Sequence, residues 1–148
     1  MASTYQLLQK AEKLELLAAE LYLALAERYA GEARALFLRL AQEEGQHATR
    51  IRLLAARYRH DTRLVATMST EAHELDALLE EAGRLLEAVR RGEWDGDQEA
   101  ALSRAAELET RFCLAHAHCL TRDAHPELLS FFQQLAAQDE AHRQLLAR

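Results

Sequence analysis

The sequence predicts an all-α protein, an antiparallel bundle of four long helices with one additional helix. The 148 residues include only one Pro and five Gly, and the strong helix formers Ala, Leu, Glu, Arg and Gln dominate. Val and Ile are scarce, which leaves little material for a β-sheet. Apolar residues recur at spacings of three and four, as on one face of a helix. The length suits a single domain over 1–148 with a sizeable core.

Five periodic segments can be placed along the chain. The first stops near Gly31, and the third ends before the Gly- and Asp-containing stretch RGEWDGDQ. The fifth opens in AHPELL, where Pro126 suits a first helical position. The predicted helices, in chain order, cover about 4–30, 32–60, 69–91, 98–121 and 126–148.

Charge and hydropathy exclude several classes of function. The net charge is −6 and the pI about 5.6, without a compact basic patch, so we expect no nucleic-acid partner. No apolar stretch approaches the ~18–20 residues of a membrane span, and the opening residues do not resemble a signal peptide. We therefore expect a cytoplasmic protein with no membrane partner. Cys113 and Cys119 lie six residues apart, about 120° around a helix, which argues against a disulfide between them and favours small core residues.

The stretch AQEEGQHATRI contains two adjacent glutamates with different predicted positions. At about 100° per residue, Glu44 lies in the middle of the apolar stripe of its helix and His47 lies on the same face. Glu43 lies at the edge of that stripe and is expected to be solvated. The same helical phasing places further acidic and imidazole groups inward on the other long helices, namely Glu15, Glu109, Asp139 and His142.

A set of inward carboxylates is costly in an apolar core unless each is paired or bound to a cation. No inward Lys or Arg is placed to neutralise this set. A pair of divalent or trivalent metal ions would resolve the repulsion, and carboxylates with neutral imidazoles suit Fe and Mn. A polar core without metal is the alternative, since a lone inward Glu or His is more often a satisfied core residue. The predicted metal ligands are Glu15, Glu44, His47, Glu109, Asp139 and His142.

Segments 14–47 and 108–142 form an internal repeat, with one extra residue in the second unit near the turn between its helices. Its register pairs Glu15 with Glu109, Glu44 with Asp139, His47 with His142 and Tyr22 with His116. A helix pair that occurs twice, each time with Glu followed by carboxylate-x-x-His, is what a two-fold-symmetric dinuclear site needs. Tyr22 and His116 are expected to lie beside the ligands or to pack there, with direct metal binding by His116 as the alternative, and no catalytic residue can be assigned.

The remaining aromatic and imidazole side chains have simpler interpretations. Trp94, in the loop with Gly and Asp, is expected to anchor that loop locally. Four other imidazoles are expected at the surface, those of His60, His73, His118 and His125.

Glu44-x-x-His47 and Asp139-x-x-His142, with an inward Glu on each of two other helices, resemble the ferritin-like di-iron carboxylate superfamily and its rubrerythrin-like branch. The resemblance covers about 4–58 and 98–147. It implies a four-helix bundle with one long crossover, which the third helix, about 69–91, would supply. It also implies that Glu44 and Asp139 bridge the two metals.

Three departures from the family pattern bear on the expected activity. Asp139 stands where the family has Glu, so its side chain is one methylene shorter. Phe112 occupies the place of an extra Glu that rubrerythrins have three residues after their third ligand. A C-terminal rubredoxin domain is absent from this sequence.

The resemblance implies a protein that binds two metal ions. Iron is the expected metal, and Mn and Zn are the alternatives. The expected function is redox activity towards O2 or peroxide, of ferroxidase or peroxidase type, in oxidative stress or iron handling. An electron donor of unknown identity would be a partner, and a homodimer is a plausible assembly. Two alternatives stay open: another chemistry on the same scaffold, such as manganese catalase or a hydroxylase, and a metal-free helical interaction module.

Overall fold

The computed structural model describes residues 3–60, 72–118 and 125–148. These residues form five α-helices: α1 Thr4–Arg28, α2 Gly31–Ala56, α3 Ala72–Arg90, α4 Gln98–His118 and α5 Pro126–Leu146. The all-α prediction is confirmed. None of the helices in the described part of the chain is both long enough and apolar enough to cross a membrane.

The helix ends follow local signals where the sequence supplies them. Ser3 caps α1, because its side chain accepts a hydrogen bond from the backbone N–H of Gln6 while the Gln6 side chain accepts one from the N–H of Ser3. Gly31, at φ 65°, opens α2 in a conformation that other residues rarely adopt. Helix α2 ends at Ala56, before the predicted end at His60, since the last four residues of that range form a turn. The predicted end of the fourth helix lies outside the described residues.

The bundle consists of two helix pairs joined by the crossover helix. Helix α1 packs along α2, α4 packs along α5, and α3 lies against both α1 and α4. Helices α2 and α5 meet over only a short stretch. The inner face of α3 is fully apolar, with Leu75, Leu78, Ala82, Leu86 and Val89 buried.

Ion pairs link the crossover helix α3 to α1 on one side and to α4 on the other. Lys10 Nζ lies 3.0 Å from Asp76 Oδ1 on the α1 side, and Arg111 Nε donates to Glu74 Oε1 at 2.9 Å on the α4 side. Since these pairs are partly exposed, each is worth roughly 0–1 kcal/mol. The buried leucines of α3 therefore hold it in place, and the ion pairs fix its position along the bundle.

Trp94 anchors the loop between α3 and α4, as predicted. Its Nε1–H donates to the Tyr29 hydroxyl at 2.8 Å, and that hydroxyl donates to the Gly96 carbonyl at 2.7 Å. Arg28 donates to the Trp94 carbonyl at 2.8 Å. A Cβ at position 96 would clash with the Trp94 ring, so the loop needs Gly there. These bonds hold the loop against the turn between α1 and α2.

We expect Tyr29→Phe to destabilise the protein by about 1–2 kcal/mol, because the Trp94 N–H loses its acceptor and the Gly96 carbonyl its donor. For a chain of this length the melting temperature would fall by roughly 3–6 °C, as measured by circular dichroism. Tyr5→Phe is the control, since the Tyr5 hydroxyl has no hydrogen bond to other described side chains or backbone. Equal melting temperatures for the two variants would contradict the prediction.

The remaining sequence predictions have mixed outcomes. His60, His118 and His125 are exposed, as expected. Cys113 is only half-buried, so its predicted place in the core is wrong: α4 turns Phe112 inward and leaves Cys113 on the flank. Cys119 and the side chain of His73 lie outside the described residues.

Candidate metal centre

The six predicted ligand side chains all lie in the core of the bundle. None of them is more than 4% exposed, although each is acidic or an imidazole. The set comprises Glu15, Glu44, His47, Glu109, Asp139 and His142. The four-helix arrangement thus brings one carboxylate from each of α1, α2, α4 and α5 to a common place.

Local packing explains why these polar groups point inward. On α2, Phe37 and Leu40 precede Glu44 by seven and four residues and are fully buried. On α5, Phe132 and Leu135 precede Asp139 by the same intervals and are 2% exposed. Because both helices bury these large apolar groups, the next positions on the same stripe must face the core as well.

The two oxygens of Glu44 face different histidines. Glu44 Oε2 lies 3.4 Å from His47 Nδ1, and Glu44 Oε1 lies 2.9 Å from His142 Nδ1. The two imidazole rings are stacked, with centroids 5.7 Å apart and planes 13° apart. Glu44 could therefore offer one oxygen to a cation on the side of each imidazole.

The cluster divides into overlapping groups, each small enough for one ion. Within each group, one potential ligand atom from every member lies within 4.8 Å of the others. The groups are Glu15–Glu44–His47, Glu44–Glu109–Asp139–His142 and Glu15–His116–Asp139. Glu44 joins the first group to the second, and Asp139 joins the second to the third. A carboxylate that belongs to two groups could offer an oxygen to an ion in each of them.

Several buried atoms of the cluster have no hydrogen-bond partner within the described part of the chain. They are Glu15 Oε1, Glu44 Oε2, His47 Nδ1, Glu109 Oε2 and Asp139 Oδ1. An unsatisfied buried polar atom costs about 1–3 kcal/mol, and more when it is charged. Unbonded carboxylate oxygens and an imidazole nitrogen that converge in this way fit a pair of metal ions.

Two further buried side chains contact the predicted ligands. The Tyr22 hydroxyl donates to Glu109 Oε1 at 2.7 Å, and its ring stacks on Phe37 with centroids 6.0 Å apart. His116 Nδ1 lies 2.5 Å from Asp139 Oδ2, and His116 Nε2 lies 3.6 Å from Glu15 Oε1. Both side chains therefore contact a carboxylate of the predicted ligand set.

Burial and mutual repulsion shift the pKa values of the acids. Burial first, and then the charge of Glu44, raises the pKa of Glu15 to about 8. Burial and the neighbouring Glu109 also raise the pKa of Asp139. Without metal, the folded chain therefore keeps protons on carboxyl groups that are ionised at neutral pH in the unfolded chain.

The pKa values of His47 and His142, the histidines of the two carboxylate-x-x-His motifs, are raised, which favours the protonated imidazoles. Burial alone would lower the pKa of His47, but the carboxylates of Glu15 and Glu44, 3.6 and 3.4 Å from its Nδ1, raise it to about 10. The same balance, with Glu109 and Glu44, raises the pKa of His142 to about 11. Protonated imidazoles thus take the place of metal cations in the metal-free chain.

Glu43 is not a solvated surface residue, and that prediction is wrong. Its side chain is 31% exposed, and its Oε2 hydrogen-bonds His142 Nε2 at 2.7 Å. Arg39 Nε also donates to Glu43 at 3.2 Å. Helical phasing put Glu43 at the edge of the stripe, but the phasing of α2 carries no information about how close α5 approaches.

Glu43 is placed to set the tautomer of His142. If His142 Nε2 carries the proton that Glu43 accepts, the Nδ1 lone pair faces the carboxylates and is available to a metal. We expect Glu43→Gln to weaken metal binding by roughly 10–100-fold, the usual effect of losing such a partner. Competition between the protein and a chelator for Co(II) would measure it.

Glu27→Gln is the matched control for this experiment, because Glu27 is exposed on α1 and its loss changes the net charge equally. Identical affinities for the two variants would show that Glu43 does not act on His142.

The family model for rubrerythrin matches residues 6–113. The chain belongs to the rubrerythrin family. The matched region contains Glu15, Glu44, His47 and Glu109, so it covers both helices of the first repeat and most of α4. Asp139 and His142 lie beyond it, and the internal repeat and the structure place them in this rubrerythrin-like cluster. Neither the curated proteins nor the solved structures gave a match.

Proposed function

We propose that the buried cluster binds two iron ions and that the loaded protein reacts with O2 or hydrogen peroxide, as a ferroxidase or peroxidase. The observation that carries the proposal is the position of Glu44, whose two oxygens face the two motif histidines at 3.4 and 2.9 Å. Family membership supports iron, because a di-iron site is characteristic of rubrerythrins.

The proposed ligands divide between two metal positions. The first position takes Glu15, Glu44 and His47, and the second takes Glu44, Glu109, Asp139 and His142, following the groups of converging atoms. Carboxylates and imidazoles are suitable ligands for iron and manganese. The carboxylates also balance the metal charge inside the apolar core.

Bound Fe(II) would supply two electrons, one from each ion, and the reduction of one hydrogen peroxide would consume two protons and give two waters. The chain's own residues position the ligands. Tyr22 donates a hydrogen bond to Glu109, which holds that carboxylate in one orientation. Glu43 accepts the proton on the outer nitrogen of His142. Repeated turnover would need an external electron donor, which we propose as a partner.

A surface cavity supports access of small oxidants to this site. It has a volume of about 280 Å³ and lies on the seam between α2 and α5, where His47 and His142 form part of its wall. Arg39 and Arg50 also line it. O2 and peroxide are small enough to pass through such an opening to the imidazoles.

Metal analysis followed by a single oxidation tests the proposal. We expect the anaerobically isolated protein to contain two Fe per chain, and one peroxide added per pair of Fe(II) to produce the near-ultraviolet absorbance of Fe(III) bound to carboxylates. Iron-loaded protein without an absorbance change would contradict the redox function. Manganese with peroxide disproportionation would instead support a manganese catalase. A stable protein that takes up no metal would support the metal-free module.

A further inference from the structure

His116 occupies a position within the cluster that the six predicted ligands do not account for. It lies on α4, two helical turns after Glu109, and is 1% exposed. Together with Glu15 and Asp139 it forms a group of ligand atoms that includes neither motif histidine. A buried imidazole between two carboxylates that already belong to the proposed centre is itself a candidate ligand.

The two oxygens of Glu15 face different imidazoles. Glu15 Oε2 lies 3.6 Å from His47 Nδ1, and Glu15 Oε1 lies 3.6 Å from His116 Nε2. Two ligands at about 2.0–2.2 Å from one ion stand roughly 3–4 Å apart. An ion bound by Glu15 is therefore within reach of both imidazoles.

Asp139 contacts the other nitrogen of the same ring. His116 Nδ1 lies 2.5 Å from Asp139 Oδ2, whereas Asp139 Oδ1 has no hydrogen-bond partner among the described residues. A histidine that donates one N–H to a carboxylate presents the lone pair of its other nitrogen to a metal. With the proton on Nδ1, that lone pair is on Nε2, on the side of Glu15.

The first repeat has a phenol instead of an imidazole at the position equivalent to His116. Tyr22 matches His116 in the repeat, and its hydroxyl donates to Glu109 at 2.7 Å. A neutral phenol that donates a hydrogen bond orients a ligand, whereas a neutral imidazole can bind the metal. The two halves of the site are therefore chemically unequal at this position.

We propose that His116 is a third imidazole ligand, binding through Nε2 the metal on the Glu15 side while its Nδ1–H donates to Asp139 Oδ2. Asp139 then keeps Oδ1, which has no hydrogen-bond partner among the described residues, to bind metal. This inference rests on the proposed two-metal site. It assigns two imidazoles to one metal and one to the other.

The test uses Co(II), which reports its ligands without turnover. X-ray absorption of the wild-type protein loaded with two Co(II) is expected to show three imidazoles per metal pair. We expect His116→Gln and His116→Tyr, the latter copying the first repeat, to show two imidazoles per pair. Each should weaken one of the two Co(II) by at least ~10-fold in chelator competition. His118→Gln, exposed on the same helix, is the control and should match the wild type.

The outcomes separate this inference from the proposed function. Wild-type protein that binds two Co(II) through only two imidazoles would overturn the role of His116 and leave the two-metal site standing. Wild-type protein that binds no Co(II) would overturn the site itself. Because the imidazole count is made on the wild type, the result does not depend on whether the variants fold.

Discussion

Glu44→Gln is expected to abolish binding of both metal ions, the largest effect of any single change in this protein. Glu44 is fully buried and is the carboxylate whose two oxygens face His47 and His142. An amide cannot offer two anionic oxygens to two cations, so both positions lose a ligand at once. The loss should exceed the ~10–100-fold that an outer partner costs. Elemental analysis after anaerobic loading with Fe(II) measures it.

Glu32→Gln provides the matched comparison, since Glu32 is exposed on the same helix and its loss removes the same charge. We expect this variant to retain two metals per chain. Two metals per chain in Glu44→Gln would show that the metals bind elsewhere, and the proposed ligand set would have to be abandoned.

The metal-free protein is expected to lose stability as pH rises from about 6.5 to 10. Glu15 has a folded pKa of about 8, above its unfolded value, so its contribution to stability falls as pH rises towards 8. His47, at about 10, holds its proton more tightly when folded, so its contribution is complete below pH 6.5 and is lost towards pH 10. Deprotonation of Glu15 and of His47 therefore lowers the stability of the folded protein in both cases as pH rises.

One pKa unit corresponds to about 1.4 kcal/mol, so the rise in the pKa of His47 from 6.5 to about 10 makes the expected loss about 5 kcal/mol, or roughly 10–20 °C in melting temperature. Metal loading should reverse the trend, because metal displaces these protons and binds more tightly as pH rises. Differential scanning calorimetry of metal-free and Co(II)-loaded protein, at pH 6.5 to 10, measures both. A metal-free melting temperature that is level or rises over this range would contradict the assignment of the buried protons.

The helical arrangement and the inward residues were predictable because both depend on a regular period. Once the apolar stripe of α2 is known, 3.6 residues per turn direct Glu44 and His47 to the core. The same argument selected Asp139 on α5, whereas its neighbour Glu140 pairs with Arg143 at 2.6 Å. Each such result needs only one helix at a time.

Predictions that depend on two helices were less successful. Glu43 was expected in solvent, yet it hydrogen-bonds a histidine 99 positions further along the chain. The end of α2 at Ala56 was also missed, because no Gly or Pro marks it. Neither feature has a local signal. The Glu43 bond depends on how closely α5 approaches α2, and the end of α2 depends on how far along the chain its residues still pack against other helices.

The sequence by itself determined that this chain is helical, that its halves repeat, and which carboxylates and imidazoles face inward. Only the tertiary structure decided which atoms meet: the two oxygens of Glu44 with two different histidines, Glu43 with the outer nitrogen of His142, and His116 with Glu15 and Asp139. The physical reason is that helical periodicity specifies the direction of a side chain around its own axis. The distance and rotation between neighbouring helices, which decide how a metal could be held, arise from the packing of all their side chains together.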